Sequence, residues 1–359
     1  MSAKRFFEIF RQEVLRIVTS PSFFIFIAVL ILMSYGLTSG NVRLSSGSSD
    51  IGGTKTCITS EFSIAFVISI LSFILYSFFV TVPAGMTLIR DREHKIEEIL
   101  HTTALTPGEY ILGKYMAVLA VFSSAMFLQC GMFIVIHHLI PDTATADVIG
   151  PFRIGNYFRP FILFCLPAIV FFSGIAFFIG ARTRRPALVY LFPTVILIVD
   201  VLFFVNWSPE WLPEFWNNVL ILLDQSGFRW LDETWLKVDR GAEFYNTQPI
   251  SYNILFFMNR LVTLAAGVIP VGLAYVSYLR TLRKRDSVRQ RGKASVQSMP
   301  SRGTVTAESE ISAGTRSTPG FFTALLNVIR SEFQELRHHG GLYLFIPIFA
   351  LMVLGDVFT

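Results

Sequence analysis

Charged residues are scarce in this sequence. Only 15% of the 359 residues are Asp, Glu, Lys or Arg, whereas a soluble domain has about 25%. Hydrophobic residues make up 53%, with Phe at 36 positions. This composition excludes a disordered protein and argues against a soluble enzyme of ordinary composition. The three cysteines, Cys57, Cys130 and Cys165, are too few for a disulfide framework or a cysteine-rich metal site.

The sequence also lacks the short motifs of nucleotide-binding and hydrolytic proteins. No Gly-x-x-x-x-Gly-Lys-Ser/Thr loop, no His-Glu-x-x-His and no Gly-x-Ser-x-Gly occurs. His137 and His138 are adjacent, and neighbours in a helix point about 100° apart, so they rarely chelate one metal. We therefore predict no catalysis by this chain, no cofactor and no bound metal.

Long apolar runs occupy nearly half of the chain. A transmembrane helix needs about 20 consecutive, mostly apolar residues. We predict an all-α polytopic membrane helix bundle with six transmembrane helices, an interfacial elbow helix before them, and the start of a second such unit. The predicted spans are residues 22–38, 62–89, 114–140, 158–181, 186–206 and 254–280, and a seventh apolar run covers 342–359.

The distribution of the basic residues predicts how these spans are oriented in the membrane. Most of the 30 Lys and Arg residues precede the first span, follow the sixth, or lie in the loops after spans two and four. The net charge of +5 could suggest a nucleic-acid partner, but in a membrane protein the placement of charge matters more than its sum. Because basic loops stay cytoplasmic, we predict a multi-pass protein of the plasma (cell inner) membrane, with a cytoplasmic N-terminus and no nucleic-acid partner.

An amphipathic segment precedes the first span. In residues 4–19 the apolar side chains share one face at about 100° per residue, which predicts a helix lying in the lipid interface; an ordinary soluble helix is the alternative. Glu13 falls inside the apolar arc, where a carboxylate is costly. It either pairs with a basic residue at a span end, Lys114 or Arg90, or extends to the lipid headgroups.

The same pattern returns near the end of the sequence. Arg330-Ser331-Glu332 repeats Arg11-Gln12-Glu13, and Glu332 again precedes an apolar run. We therefore predict three parts, which are a six-span unit at 1–280, a flexible cytoplasmic linker at 281–319, and the elbow helix and first span of a second unit at 320–359. The rest of that second unit is either missing here or supplied by a partner, as a second half or a homodimer.

The loop between spans two and three is the most informative part of the sequence. Ile96, Ile99 and Leu100 make a narrow apolar edge on a charged helix, and Pro107-Gly108 ends the loop. Such a helix suits docking into a groove on a soluble partner; a plain solvated connector is the alternative. The candidate docking residues are Arg92, Glu93, Glu97, Glu98, Leu100, Thr103 and Leu105.

These residues and the preceding amphipathic helix make the chain resemble the ABC-2 type permeases, the membrane subunits of ATP-binding cassette transporters. The resemblance implies an N-terminal elbow helix, six spans per half, and a coupling helix after span two that docks on a separate ATPase subunit. ATP hydrolysis on that subunit would then move an unidentified substrate across the membrane. The two-half arrangement is similar to large bacterial permeases that continue into a zinc aminopeptidase-like domain.

Two other functions remain open at this point. One is a membrane anchor or scaffold for an enzyme domain. The other is an ATP-independent channel or secondary transporter, although the middles of spans two and three lack the charges that proton-coupled transporters use.

The segment between spans five and six carries all five tryptophans, from Trp207 to Trp235. Trp favours the headgroup zone, so we expect short interfacial or re-entrant helices on the outer face, acting as a gate or as a structural belt. Two charges, Asp200 and Arg260, lie at matching depths of about 9 Å below that face. Since an unpaired charge there is strongly disfavoured, we predict an intramembrane ion pair between them.

Overall fold

The computed structural model describes residues 2–36, 43–46, 49–94, 105–140, 146–183, 185–205, 207–209 and 211–296. It is mostly helical, at 81%. The chain divides into two compact units, Met1–Tyr275 and Val276–Thr359. In chain order the described helices are α1 (Ala3–Val18), α2 (Pro21–Gly36), α3 (Glu61–Glu93), α4 (Pro107–His138), α5 (Ile154–Thr183), α6 (Pro186–Val205), α7 (Glu214–Leu223), α8 (Phe228–Leu231), α9 (Ala242–Thr247) and α10 (Ile254–Val296).

Five of the described helices are long and apolar enough to cross a membrane. They are α3, α4, α5, α6 and the part of α10 from Ile254 to Arg280. The pair α1 and α2, bent by 62° at a short break, makes a sixth if it is counted as one span. The chain is therefore a helical, membrane-embedded protein.

Polar caps extend the helices beyond the predicted apolar runs. The Ser60 side chain caps the start of α3 by accepting from the Ser63 amide, and α3 ends at Glu93 instead of residue 89. At the start of α4, Thr106 and Glu109 form a capping box. Lys114 therefore lies about two turns inside α4, not at its end.

Three of the spanning helices contain a π-helical stretch. These stretches are Ser72–Tyr76 in α3, Phe161–Cys165 in α5 and Asp200–Val205 at the end of α6. Pi-helical segments occur often at functional sites.

Glycine lets the backbones of three helices meet directly. A Cβ atom on Gly180 of α5 would lie 2.0 Å from the carbonyl oxygen of Gly85 in α3. A Cβ atom on Gly174 of α5 would lie 1.9 Å from the carbonyl oxygen of Gly267 in α10. Small residues are what helices use to pack closely in membranes, so α5 joins α3 and α10 through two backbone contacts.

Large apolar side chains point outward around the bundle. An aqueous surface rarely presents so many contiguous apolar groups, whereas a lipid-facing surface does. Examples at least one-third exposed on four helices are Phe24, Ile31, Leu32, Phe127, Leu128, Leu191, Ile198, Leu202, Leu261, Val268 and Ile269.

The segments at the N-terminal end of α3 form a small cap. Strands β1 (Ser45–Ser46) and β2 (Ser49–Asp50) pair antiparallel. The cap also holds α7, α8 and α9, and α8 runs on into a π-helical turn, Asp232–Leu236. It is fastened to α3 through Glu61, which accepts from the Tyr252 hydroxyl at 2.8 Å and the Ile250 amide at 3.2 Å. The short helices predicted between spans five and six are thus present.

The structure describes only the start of the predicted linker. Helix α10 continues to Val296, so residues 281–296 are helical. The rest of the linker, the second amphipathic helix with Glu332, and the seventh apolar run lie outside the described residues.

Candidate functional site

Four charged side chains meet where α1 crosses the C-terminal end of α3 and the N-terminal part of α4. Lys114 Nζ lies 2.8 Å from Glu13 Oε2 and 2.8 Å from Asp91 Oδ2. Arg16 Nη1 lies 3.2 Å from Asp91 Oδ1 and 3.7 Å from Glu13 Oε2. We call Glu13, Arg16, Asp91 and Lys114 the ion-pair cluster.

The ion-pair cluster is buried and completed by hydroxyl groups. Glu13 is 5% exposed, Lys114 5% and Asp91 2%. The Tyr110 hydroxyl donates to Asp91 Oδ2 at 2.6 Å, and the Thr87 hydroxyl donates to Glu13 Oε1 at 3.2 Å. Two acids therefore face two bases, and hydroxyl donors bind the carboxylates, which is the arrangement in which buried charges are tolerated.

Helical spacing explains how the sequence assembles this cluster. Glu13 and Arg16 stand at i and i+3 on α1, and Tyr110 and Lys114 stand at i and i+4 on α4, so each pair shares one helix face. Gly113 lets α1 come close, because a Cβ atom there would lie 3.1 Å from Ile9 Cγ2.

The ion-pair cluster resolves the alternatives left open for Glu13. Of its two candidate partners, Lys114 is the one that it contacts. The side chain is buried and does not extend to the headgroups. Sequence reasoning missed Arg16 and Asp91. The spacing of Arg16 from Glu13 was an available signal, whereas Asp91 is hidden in the charged run Arg90–Glu93 and carries no periodic signal.

The ends of the loop between α3 and α4 are fixed by further contacts. Arg92 Nη1 donates to the Ala181 carbonyl of α5 at 3.1 Å. At the other end of the loop, Glu109 accepts from the backbone amides of Thr106, at 2.9 Å, and Ser2. The first residues of the chain and the start of α4 are thereby joined.

The predicted docking residues divide into two groups. Arg92 is half-buried and bound to α5, Glu93 is exposed at the end of α3, and Leu105 is half-buried just before α4. The others, Glu97, Glu98, Leu100 and Thr103, lie outside the described residues.

The predicted ion pair between Asp200 and Arg260 is not a direct contact in the structure. Asp200 Oδ2 accepts from the Gln225 side-chain amide at 2.5 Å. Arg260 donates to the backbone carbonyls of Asp224 and Gln225, at 3.3 and 3.4 Å. Both residues instead contact Gln225, Asp200 through its side-chain amide and Arg260 through its backbone carbonyl. A residue of the outer segment could not be foreseen there from the spans alone.

The small cap at the N-terminal end of α3 contains a second charged group. Burial raises the pKa of Asp232. Burial also acts to raise the pKa of Glu233, but its hydrogen bonds with Ser208 and Lys237, and the charges of Lys237 and Arg229, outweigh that effect and leave it lowered. Lys237 Nζ lies 2.9 Å from Glu233 Oε2. Two adjacent carboxyls in one turn therefore have pKa values shifted in opposite directions.

The adjacent histidines of α4 contact a tyrosine. His137 Nδ1 and His138 Nε2 lie 3.1 and 2.9 Å from the Tyr157 hydroxyl. Within the part of the chain that the structure describes, no group of three or more His, Cys, Asp or Glu side chains could hold a metal ion.

No family model and no curated protein matches this chain. Fold and composition place the chain in the class of helical, multi-pass membrane proteins.

Proposed function

We propose that this chain is the transmembrane permease subunit of an ATP-binding cassette transporter. A separate ATPase subunit would bind the loop between α3 and α4, and ATP hydrolysis there would drive movement of a substrate through the membrane. The observation that carries the proposal is the ion-pair cluster, since it ties α1 to both helices that flank this loop.

The ion-pair cluster gives the loop a mechanical connection to the bundle. A force applied between Arg92 and Leu105 reaches the end of α3 and the start of α4 directly. Because Lys114 bonds to both Glu13 and Asp91, α1 follows the same movement. An ATPase that docks differently in its two nucleotide states would shift the bundle between two conformations.

The geometry of α1 supports its role as the elbow helix. It meets α2 at 62°, so the two helices cannot both run along the membrane normal. Phe7 and Leu15 of α1 are 66% and 51% exposed, as an interfacial helix requires of its lipid-facing side. With the basic residues placed inside, we propose a cytoplasmic N-terminus, six spans in the inner membrane, and a second half or second copy that completes the transporter.

Co-purification tests the proposal. The full chain is extracted from its own membranes in mild detergent, and bound proteins are identified by mass spectrometry. We expect an ATP-binding cassette protein with the unaltered chain, and its loss when Glu97→Gln, Glu98→Gln and Leu100→Ala are combined.

A matched control uses the outer cap. Glu214, Glu243 and Leu223 are exposed there, so the combination Glu214→Gln, Glu243→Gln and Leu223→Ala should keep the ATPase bound. Loss of the ATPase from both triple variants, or from neither, would contradict docking at the loop. Recovery of a soluble hydrolase with no ATPase would favour the anchor function.

A further inference from the structure

Arg260 is held by neutral oxygen atoms at the outer end of the bundle. It is 4% exposed. Its Nε donates to the Asn259 side chain at 2.6 Å, and Nη1 donates to the Leu163 carbonyl at 3.3 Å. The remaining bonds go to the carbonyls of Asp224 and Gln225. These two carbonyls belong to the turn between α7 and α8, so Arg260 fastens the outer cap to α10.

Asp200 lies beside this arrangement and has no cationic partner among the residues that the structure describes. It is 1% exposed and begins the π-helical end of α6. Its Oδ2 accepts from the neutral Gln225 amide, and its Oδ1 has no hydrogen-bond partner among the described residues. A carboxylate so deeply buried is strongly disfavoured unless it is paired with a positive charge.

The other ionisable groups nearby oppose a negative charge on Asp200. Asp224 repels an ionised Asp200 and attracts Arg260. The Asp224 carboxylate is itself bound by the Ser226 hydroxyl at 2.6 Å and the Arg229 amide at 2.8 Å. Arg229, on α8, donates hydrogen bonds to the Asn217 side chain and to the backbone carbonyls of Phe203 and Trp207.

We propose that Asp200 is a proton-binding site that controls the attachment of the outer cap, and that it is protonated in this structure. When the proton leaves for the outer water, the new carboxylate attracts Arg260, which bonds to the backbone carbonyl of the same Gln225 whose side chain donates to Asp200. Arg260 then exchanges the carbonyls of the turn for a direct ion pair with Asp200. The turn at 224–226 then loses its bonds to Arg260 and stays attached to α10 through the Asn259 side chain, which donates to the Asp224 carbonyl at 2.7 Å, so the outer cap loosens. This proposal does not depend on the presence of an ATPase subunit.

Infrared spectroscopy of the full chain in lipid nanodiscs detects the proton directly. A protonated carboxylic acid has a carbonyl stretching band well separated from that of a carboxylate. We expect the difference spectrum between the unaltered chain and Asp200→Asn to contain such a band at neutral pH and to lose it as the pH is raised; taking the difference removes any band from the buried Asp232. Asp91→Asn is the matched control, since Asp91 is equally buried but paired with Lys114; that variant should keep the band. A difference spectrum without this band overturns the proposal.

Tryptophan fluorescence detects the movement, because all five tryptophans lie between Trp207 and Trp235. Raising the pH should shift the emission of the unaltered chain. Asp200→Asn keeps the bond to Gln225 and cannot ionise, so it should lose this shift. Arg260→Gln should keep the infrared band and lose the shift. An unchanged fluorescence response in Asp200→Asn contradicts the proposal. If that variant does not fold, Asp200→Glu should move the band, and an unmoved band contradicts it equally.

Discussion

At the scale of single residues, the ion-pair cluster depends on one ammonium group. Lys114 bonds two carboxylates from two helices, whereas Arg16 is 30% exposed at its side chain and approaches them at longer distances. Removing one partner of a buried pair costs more than the pair contributes, because a buried charge is left uncompensated.

We expect Lys114→Met to be the most destabilising single change in the cluster. It leaves the buried Glu13 and Asp91 to share the partly exposed Arg16, and breaking a buried ion pair costs about 3–5 kcal/mol. Thermal unfolding in detergent measures it. Adding Glu13→Gln should recover part of the loss, because it leaves one buried carboxylate, Asp91, for Arg16 to balance.

The control for this change is a solvent-exposed ion pair of α1. Arg11 and Glu8 lie 3.8 Å apart with side chains 69% and 56% exposed, and exposed pairs contribute at most about 1 kcal/mol. Arg11→Met should therefore change the unfolding temperature little. If Lys114→Met is equally mild, the cluster does not hold α1 in place.

The residues also show what the sequence can and cannot reveal. Glu13 was recognisable because it interrupts an apolar arc, and its partner Lys114 because it is a lone base beside an apolar run. Asp91 could not be recognised in this way. It stands among three other charged residues in Arg90–Glu93, and a solvated loop shows the same pattern of charges. The positions of Asp200 and Arg260 along their spans predicted that the two residues lie close together. Gln225, which contacts both, belongs to a separate segment, and the sequence does not show where that segment lies relative to the spans.

At the scale of helices, the apolar runs predict which segments are helical, and polar caps decide where they end. Lys114 was expected at the start of a span and lies inside α4, because Pro107 and the capping box begin the helix earlier. The backbone contacts of α5 with α3 and α10 had no signal in the sequence. Gly180 is one glycine among 24, and only the packing shows which of them are indispensable.

Gly180→Ala should separate α3 from α5. Its new methyl group would lie 2.0 Å from a backbone oxygen, and a backbone cannot move aside as a side chain does. Overpacking of this kind typically costs about 1–3 kcal/mol, occasionally more. The measurement is the fraction of folded protein recovered by size-exclusion chromatography, together with its thermal unfolding.

Gly131→Ala is the matched control. No atom lies within 4 Å of a Cβ placed there, and alanine is favoured over glycine inside a helix by up to about 1 kcal/mol. This variant should be as stable as the unaltered chain or slightly more so. Equal effects of the two substitutions would mean that the helices can move apart freely.

The outer cap should lose stability in acid through Glu233. Because its pKa is lowered in the folded chain, its contribution is complete above the ordinary glutamate pKa and is lost as the pH falls through the lowered value. The raised pKa of Asp232 acts in the opposite direction. Glu233→Gln should therefore weaken the cap at neutral pH, and its difference from the unaltered chain should shrink in acid.

Unfolding followed by tryptophan fluorescence over a pH series measures this difference. The exposed Glu243 supplies the control, since Glu243→Gln should match the unaltered chain at every pH. A deficit for Glu233→Gln that stays constant into strong acid would show that packing, not charge, is responsible.

At the scale of the whole molecule, the two ends of α3 carry different structures. One end holds the ion-pair cluster and the loop between α3 and α4, and the other holds the cap formed by the outer segments. The proposed orientation puts the first in the cytoplasm.

Cysteine labelling tests this orientation. Cys57 is partly exposed in the cap, whereas Cys130 and Cys165 are buried. A membrane-impermeant maleimide should therefore label Cys57 on intact cells. Burial raises the pKa of the Cys57 thiol, and the thiolate is the reactive form, so the rate should climb with pH.

The opposite end is probed by Glu8→Cys in a Cys57→Ser background. This cysteine lies on the exposed face of α1 and should react only after the cells are permeabilised. Labelling of Cys57 that requires permeabilisation would invert the proposed topology.

The glycine contacts also limit how the bundle can change shape. Where one backbone rests on another, no rotamer can flip to absorb a displacement, and no lipid tail or cargo can slip between. Helices α3, α5 and α10 must then travel as a single block around those contacts. A passage of the kind that the proposed transport function requires would have to form at borders lined by side chains, along the faces of α2, α4 and α6 that this block leaves available.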